Sequence, residues 1–328
     1  MAGILLRSPY YEYLTLGASG ATADSTSIKA DTTAYTADNR FDDSSYAIIK
    51  IYTGGVLRYT ITKDADEDYG VLIEISELCR DYLDITYAGT YTSQTLVISL
   101  TADFYDENDV LLGTVTKLHN GFDGYGEFMD GASPVVTPAS LLQSNTIMYI
   151  PEGVSGVVAE EDEGDINYDT FDGSAVGVNT GGQSITIVRI CEPKYTPIKV
   201  TFVNKFGALQ DLYFFKKSTE SISTQKESYK RSLVTSTGTY NINTHAKRNL
   251  NVQGTNSLTM NTGFVSENLN PAFEQLLLSE QVWATIGSDV IPVDITTNQL
   301  TYKTSVNDKL INYTISVDYA FNVINDLR

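Results

Sequence analysis

Apolar and polar positions alternate with a period of two along most of this chain, the pattern of strands with one covered face. The clearest case lies near the C-terminal end. There Ile311, Tyr313, Ile315, Val317, Tyr319 and Phe321 alternate with Asn312, Thr314, Ser316, Asp318 and Ala320. One face is apolar and the other mostly polar, as in an antiparallel sheet with one wet side. A second organising stretch is KVTFVNKFGALQDLYFFKK, Lys199 to Lys217. It predicts a strand, a sharp turn at Asn204–Gly207 and a second strand. Asn204 tolerates a left-handed backbone and Gly207 accepts one at no steric cost.

Further hairpins follow from the same pattern. Ala47–Tyr52 and Val56–Thr62 flank Thr53-Gly54-Gly55, and Leu96–Tyr105 and Val110–Leu118 flank Asp106–Asp109. Strands are also expected at 69–73, 145–150 and 184–191, with a weak strand region over 240–258. Val282–Ile286 and Val290–Asp294 pair across Gly287-Ser288-Asp289. Helical spacing occurs in two short stretches. Ile75, Leu78, Cys79, Tyr82 and Leu83 make an apolar stripe after Ser76, a candidate N-cap. Asn270-Pro271 opens a second helix, to Ser279, with Phe273, Leu276 and Leu277 facing inward. The fold class expected is mainly β: two antiparallel sandwich-like domains, 41–195 and 196–328, after an extended N-terminal arm, 1–40.

The arm has two parts. Ile4, Leu5, Leu6, Tyr10, Tyr11, Tyr13 and Leu16 give its start something to bury, whereas 17–39 is rich in Gly, Ala, Ser and Thr. The expectation is that the first part adds a strand to a sheet, its own or a neighbour's, and fastens subunits together. Deleting residues 2–39 is then expected to leave a folded body. Phe202, Phe206, Phe214 and the odd-numbered residues from Ile311 to Phe321 are expected to share one core.

Composition narrows the function classes. The 328 residues suit two domains, and 22 Tyr with only 4 Met favour sheets over helices. The net charge of −19 argues against reading nucleic acid through phosphate contacts. No charged-then-apolar leader or membrane-length apolar run is seen, so synthesis in a cytoplasm, with no membrane insertion, is expected. Cys79 and Cys191 are both expected to be buried free thiols.

No cofactor or metal is expected. His119 and His245 have no ligand-spaced neighbours and read as surface or hydrogen-bonded histidines. Asp64, Asp66 and Asp68 before Gly70 resemble the start of a calcium loop, but Tyr69 and Ile75 stand where the turn glycine and closing glutamate belong. A solvated hairpin loop is the better reading, and Glu160–Asp172 reads as an acidic loop. No nucleophile elbow or phosphate loop occurs, and 41 acidic residues make chance carboxylate pairs certain, so no enzyme is inferred. The loop NGFDGYGEFMDGASP, from Asn120, carries Phe122, Tyr125 and Phe128 among glycines. These aromatics are either anchors folded over a core or contacts for a partner. With Tyr10 and Tyr11 they are the candidate interaction residues.

Several segments together resemble proteins of tailed bacteriophages, especially phages of marine and Bacteroidetes hosts. They are RSPYY (Arg7–Tyr11), IEISELCRDYL (Ile73–Leu83), FDGYGEFMDG (Phe122–Gly131), FVNKFGALQDLYFF (Phe202–Phe215) and the region Asn261–Trp283. The resemblance implies a virion structural protein of the tail or baseplate. Its partners would be copies of itself in a symmetric assembly and other virion proteins. Capsid decoration and a receptor- or glycan-binding tail adhesin are the alternatives. The acidity fits a conduit wall that repels passing DNA.

Overall fold

The computed structural model describes residues 3–16, 44–126, 135–136, 147–180, 182–192, 194–301 and 310–323. It is mainly β, with two short α-helices among the described residues. In chain order the elements begin with β1 (Gly3–Leu5), β2 (Tyr11–Thr15), β3 (Tyr46–Thr53), β4 (Val56–Asp64), β5 (Gly70–Glu74), α1 (Ser76–Arg80), β6 (Leu96–Tyr105), β7 (Leu111–Phe122) and β8 (Val135–Val136). Next come β9 (Ile147–Pro151), β10 (Gly156–Asp162), β11 (Asp165–Phe171), β12 (Gly177–Thr180) and β13 (Gln183–Ile190). Then follow β14 (Ile198–Val203), β15 (Leu209–Phe214), β16 (Thr219–Lys230), β17 (Lys247–Asn261) and β18 (Val265–Ser266). The last are α2 (Asn270–Leu278), β19 (Val282–Ile286), β20 (Asp289–Ile295), β21 (Leu310–Ile311) and β22 (Thr314–Asn322).

The chain forms two compact units, and they are interleaved rather than consecutive. The first comprises Met1–Thr146, Ser155–Thr186 and Val203–Gln210; the second comprises Ile147–Val154, Ile187–Phe202 and Asp211–Arg328. In place of a division near residue 195, the tip of the β14–β15 hairpin groups with the first unit and its stem with the second.

In the first unit a six-stranded sheet runs β4-β3-β6-β7-β1-β8. Its covered face presents Ile49, Ile51, Ile98, Leu100 and Phe104, all fully buried. The β2–β5 pair and α1 cover that face with Leu14, Val71, Ile73, Ile75 and Cys79. The layers are therefore sandwich-like. The Gly54-Gly55 turn is as expected, with both glycines at positive φ (56° and 79°).

The first part of the arm adds a strand to a sheet, as expected, and the sheet is its own: β1 lies parallel to β7 and antiparallel to β8. Other expectations need correction. Ile4, Leu5, Leu6, Leu14 and Leu16 are core residues, so a deletion through residue 39 removes part of the first unit's interior. The polar remainder, 17–39, lies outside the described residues. Glu160–Asp172 is not a loop: β10 and β11 form an antiparallel hairpin from Gly156↔Phe171 to Asp162↔Asp165. Ala159 and Ile166, with Tyr168, turn one side of it into a small core, while most of the acids are exposed or half-buried. Ser76 is the first residue of α1 rather than its cap. The Glu74 carboxylate instead accepts from the Glu77 amide at 3.2 Å. Cys191 is exposed, because β13 ends one residue before it.

The second unit is built on the seven-stranded sheet β15-β14-β19-β20-β22-β17-β16. Phe202, Phe214, Leu258, Met260, Ile315 and Val317 form its core with Ala272, Phe273 and Leu276 of α2. Pro271 sits in the first turn of α2, where its missing N–H costs nothing. Phe206 and Phe321 do not join this core: Phe206 packs in the first unit, and Phe321 is 61% exposed. The polar segment after Lys216 is a strand too, β16, exposed along its whole length and paired with β17.

Candidate functional site

In the first unit, four of the segments quoted above meet at one place. The junction is built by backbone geometry first. The Leu6 amide donates to the Phe122 carbonyl at 2.9 Å and the Arg7 amide to Gly124 at 2.8 Å, extending the β1–β7 pairing. The Tyr125 amide donates to the Lys205 carbonyl at 2.8 Å. The Gly126 amide donates to Ser8 Oγ at 2.6 Å. Asn204 makes the turn by its side chain: Oδ1 accepts from the Phe206 and Ala208 amides at 3.0 and 3.1 Å. Gly207 takes the left-handed backbone, at φ 82°. Beneath the turn, Leu5, Phe122, Ala159, Ile166 and Ala208 form a separate small core. Tyr168 closes it, its hydroxyl accepting from the Leu209 amide at 2.9 Å.

One ion pair locks the junction. Arg7 donates from Nε and Nη2 to the two carboxylate oxygens of Asp123, each at 2.6 Å. Both side chains are nearly covered, at 12% and 9% exposure. This fork-on-fork geometry is the strong form of an arginine–carboxylate contact.

Beside it opens a cleft of about 440 Å³, lined in part by Arg7, Tyr11, Glu74, Glu77, Arg80 and Asp81. The cleft carries both signs of charge, with Tyr11 41% exposed along its wall. Ser76 ties its floor together, accepting from the Tyr10 amide at 3.1 Å and donating to Glu74. Such a surface suits a polar partner of mixed charge rather than a polyanion.

Behind the cleft, Glu12 lies against His119, with Oε2 at 3.3 Å from Nε2. That is ion-pair range, although neither ring nitrogen is aligned for a hydrogen bond among the described residues. The Tyr10 hydroxyl donates to the same oxygen at 2.9 Å, and its ring meets His119 edge-on at 5.4 Å. Lys117 stands 3.8 Å from the other oxygen. Burial alone would raise the Glu12 carboxyl, but His119, Tyr10 and Lys117 outweigh it and hold the group below its ordinary value. Burial, then the neighbouring carboxylate, pushes the Tyr10 phenol up. His119 is thus an interior residue with a carboxylate partner.

The five candidate interaction residues divide. Tyr10 and Phe122 are interior, at 8% and 0% exposure, so they are anchors and are not available to a partner. Tyr125 is half-buried and Tyr11 exposed. Phe128 lies outside the described residues. The Asp64–Asp68 cluster forms a tight turn. Asp66 Oδ1 accepts from the Asp68 and Gly70 amides, each at 3.0 Å, and from the Tyr13 hydroxyl at 2.9 Å. Among the described residues no group of three or more His, Cys, Asp or Glu is placed to hold a metal ion.

Comparison with protein-family models, curated proteins and solved structures finds no match. The Arg7–Asp123 pair is not legible in the sequence, because its partners are 116 residues apart and nothing in either segment marks them as partners. No helix among the described residues is long and apolar enough to cross a membrane.

Proposed function

We propose that the chain is a structural subunit of a tailed-bacteriophage particle, acting in the tail or baseplate by self-assembly. The observation that carries this reading is the junction itself. Parts of four of the five segments that resemble such proteins, Arg7–Tyr11, Ile73–Leu83, Phe122–Gly131 and Phe202–Phe215, are joined to one another there by hydrogen bonds. They form one hydrogen-bonded module rather than scattered likenesses. The net charge of −19 suits a subunit that stands near packaged or passing DNA without adhering to it. In this role the protein acts by packing against its neighbours, and the mixed-charge cleft is a contact for another virion protein.

The test is immunogold labelling of purified particles from a lysing culture that encodes the chain, with mass spectrometry of the same particles. Label on the tail or its base is the expected result. Label on the head makes it a decoration protein, and label on fibre tips makes it an adhesin. A chain that is abundant in the lysate but absent from particles overturns the reading.

A further inference from the structure

The least explained element of the second unit is the β16–β17 ribbon. β17 pairs with β22 from Asn261 back to Thr255, and the Gly254 carbonyl accepts from the Val323 amide at 2.7 Å. Farther out, from Lys226↔Val252 to Lys230↔Lys247, β16 and β17 pair with each other and no third strand joins them among the described residues. Among the described residues that stretch extends roughly 17 Å beyond β22, at about 3.4 Å per residue. An isolated two-stranded ribbon is at best marginally stable in water. This one also exposes Tyr229, Val234, Tyr240, Ile242 and Leu250, at 45–84%.

Its charge is opposite to that of the chain. No Asp or Glu occurs from Ser228 to Ser266, in a protein with 41 of them. Within that span Lys230, Arg231, Lys247 and Arg248 gather at the far end of the ribbon, all exposed. Lys230 stands directly opposite Lys247, and Arg248 opposite Tyr229 on the other face. Like charges facing each other across strands destabilise the pair. The arrangement thus costs the free chain stability, and exposed apolar residues beside the cations cost it solubility. Both costs fall away if the ribbon end is covered by an acidic surface.

We propose that the β16–β17 ribbon docks its basic end on the acidic surface of a second copy of this chain. The copy is itself the fitting partner in charge, at net −19. Its densest acidic stretch is the β10–β11 hairpin, where Gly156–Phe171 carries Glu160, Glu161, Asp162, Glu163, Asp165 and Asp169 and no Lys or Arg. Nucleic acid is the less favoured partner, because the rest of the molecule repels a polyanion that the ribbon end would attract. The inference deepens the structural-subunit reading and rests on it for the purpose of the contact.

Sedimentation velocity of the full chain, over a concentration series at low salt and at about 1 M salt, reads the association directly. Association at low salt that dissolves at high salt is expected. Reversing the four cations (K230E, R231E, K247E, R248E) should weaken it by at least about tenfold. The milder pair K230Q and K247Q, which relieves the cross-strand repulsion, should weaken association while leaving the melting temperature equal or higher. A wild-type chain that stays monomeric throughout overturns the inference, as does one that retards duplex DNA while remaining monomeric. Association indifferent to both sets of substitutions overturns it too, yet leaves the subunit reading standing, which particle labelling decides separately.

Discussion

Arg7 and Asp123 are 116 residues apart in the chain and are joined by two parallel hydrogen bonds of 2.6 Å. The pair fixes the N-terminal segment against the end of β7, where Gly124 and Tyr125 receive the Asn204–Gly207 turn. Removing Arg7 leaves the Asp123 charge nearly buried without its ion-pair partner, and breaking a pair of this kind typically costs about 3–5 kcal/mol. Arg7→Ala is therefore expected to lower the stability of the first unit strongly. Arg7→Lys keeps the charge but loses the fork, and should recover only part of the loss. Chemical denaturation of the three proteins, followed by tyrosine fluorescence, measures both differences. Equal midpoints would mean that the pair carries no stability.

The turn approaches β7 too closely for any side chain at Gly124. A Cβ built there would lie 2.4 Å from the Lys205 carbonyl oxygen and 2.8 Å from the Phe206 carbonyl carbon, both backbone atoms. Gly207 faces the same constraint at 2.7 Å from the Asp123 amide nitrogen, and its φ of 82° adds backbone strain for any L-residue. Gly124→Ala should cost about 1–3 kcal/mol by overpacking. Gly54→Ala is the control for Gly207→Ala: both positions have positive φ, but at Gly54 nothing lies within 4 Å, so only the backbone term remains. A thermal melt in which Gly207→Ala matches that control would show that the turn can retreat.

What the sequence made legible follows from the range of each interaction. The hairpin about Gly54-Gly55, the bounds of β6 and the buried side of β22 follow from alternation and turn chemistry within a dozen residues. β1 was harder, because it is three residues long and its neighbour β7 lies over a hundred positions away. The β10–β11 hairpin is obscured by its acids, since its inward face offers only Ala159 and Ile166, with Tyr168, against a run of charge. The β16–β17 ribbon is exposed on both faces over much of its length, so no apolar period marks it. Of the candidate site, Tyr10 and Phe122 were visible as aromatics, but their direction was not. Whether an aromatic beside glycines points inward is decided by the Leu5–Ala208 core, which is assembled from distant segments.

Phe202 and Phe321 provide a matched contrast in the second unit. Phe202 is fully buried in the core that also holds Phe214 and, from β22, Ile315 and Val317, whereas Phe321 is 61% exposed on β22 itself. Phe202→Ala should cost roughly 3–5 kcal/mol, and Phe321→Ala no more than about 0.5. Calorimetry of the two variants would contradict the assignment of the core if their melting temperatures moved alike.

Thiol chemistry separates the two cysteines. Burial, then the Glu74 carboxylate, pushes the Cys79 thiol up to about 12, and the side chain is inaccessible. Cys191 is exposed, and its thiol is raised chiefly by a hydrogen bond to Glu152. The native protein should therefore react with a disulfide reagent at Cys191 alone, more slowly than a free thiol at neutral pH. Denaturant should release the second equivalent. Two fast equivalents in the native state would mean that α1 opens readily.

Acid sensitivity should trace in part to Glu12. Its carboxyl is held below the ordinary value of 4.5 because His119, Tyr10 and Lys117 favour the charged form more than burial disfavours it. A group whose pKa is depressed on folding adds stability that is complete above the unfolded value and is lost as pH falls through the folded one. The wild-type chain should accordingly lose stability as pH drops below about 4.5. Asp103 acts in the same direction: burial opposes its ionisation, but hydrogen bonds from Lys50 and Thr114 prevail. Glu12→Gln removes one of these contributions, so it should be less stable than wild type at pH 7 and show a shallower decline into acid. Denaturation midpoints measured from pH 7 to pH 3 test the sign as well as the size. If Glu12→Gln and wild type decline in parallel across that range, the Glu12 carboxylate does not stabilise the folded state through its charge, and the contact with His119 is one of packing alone.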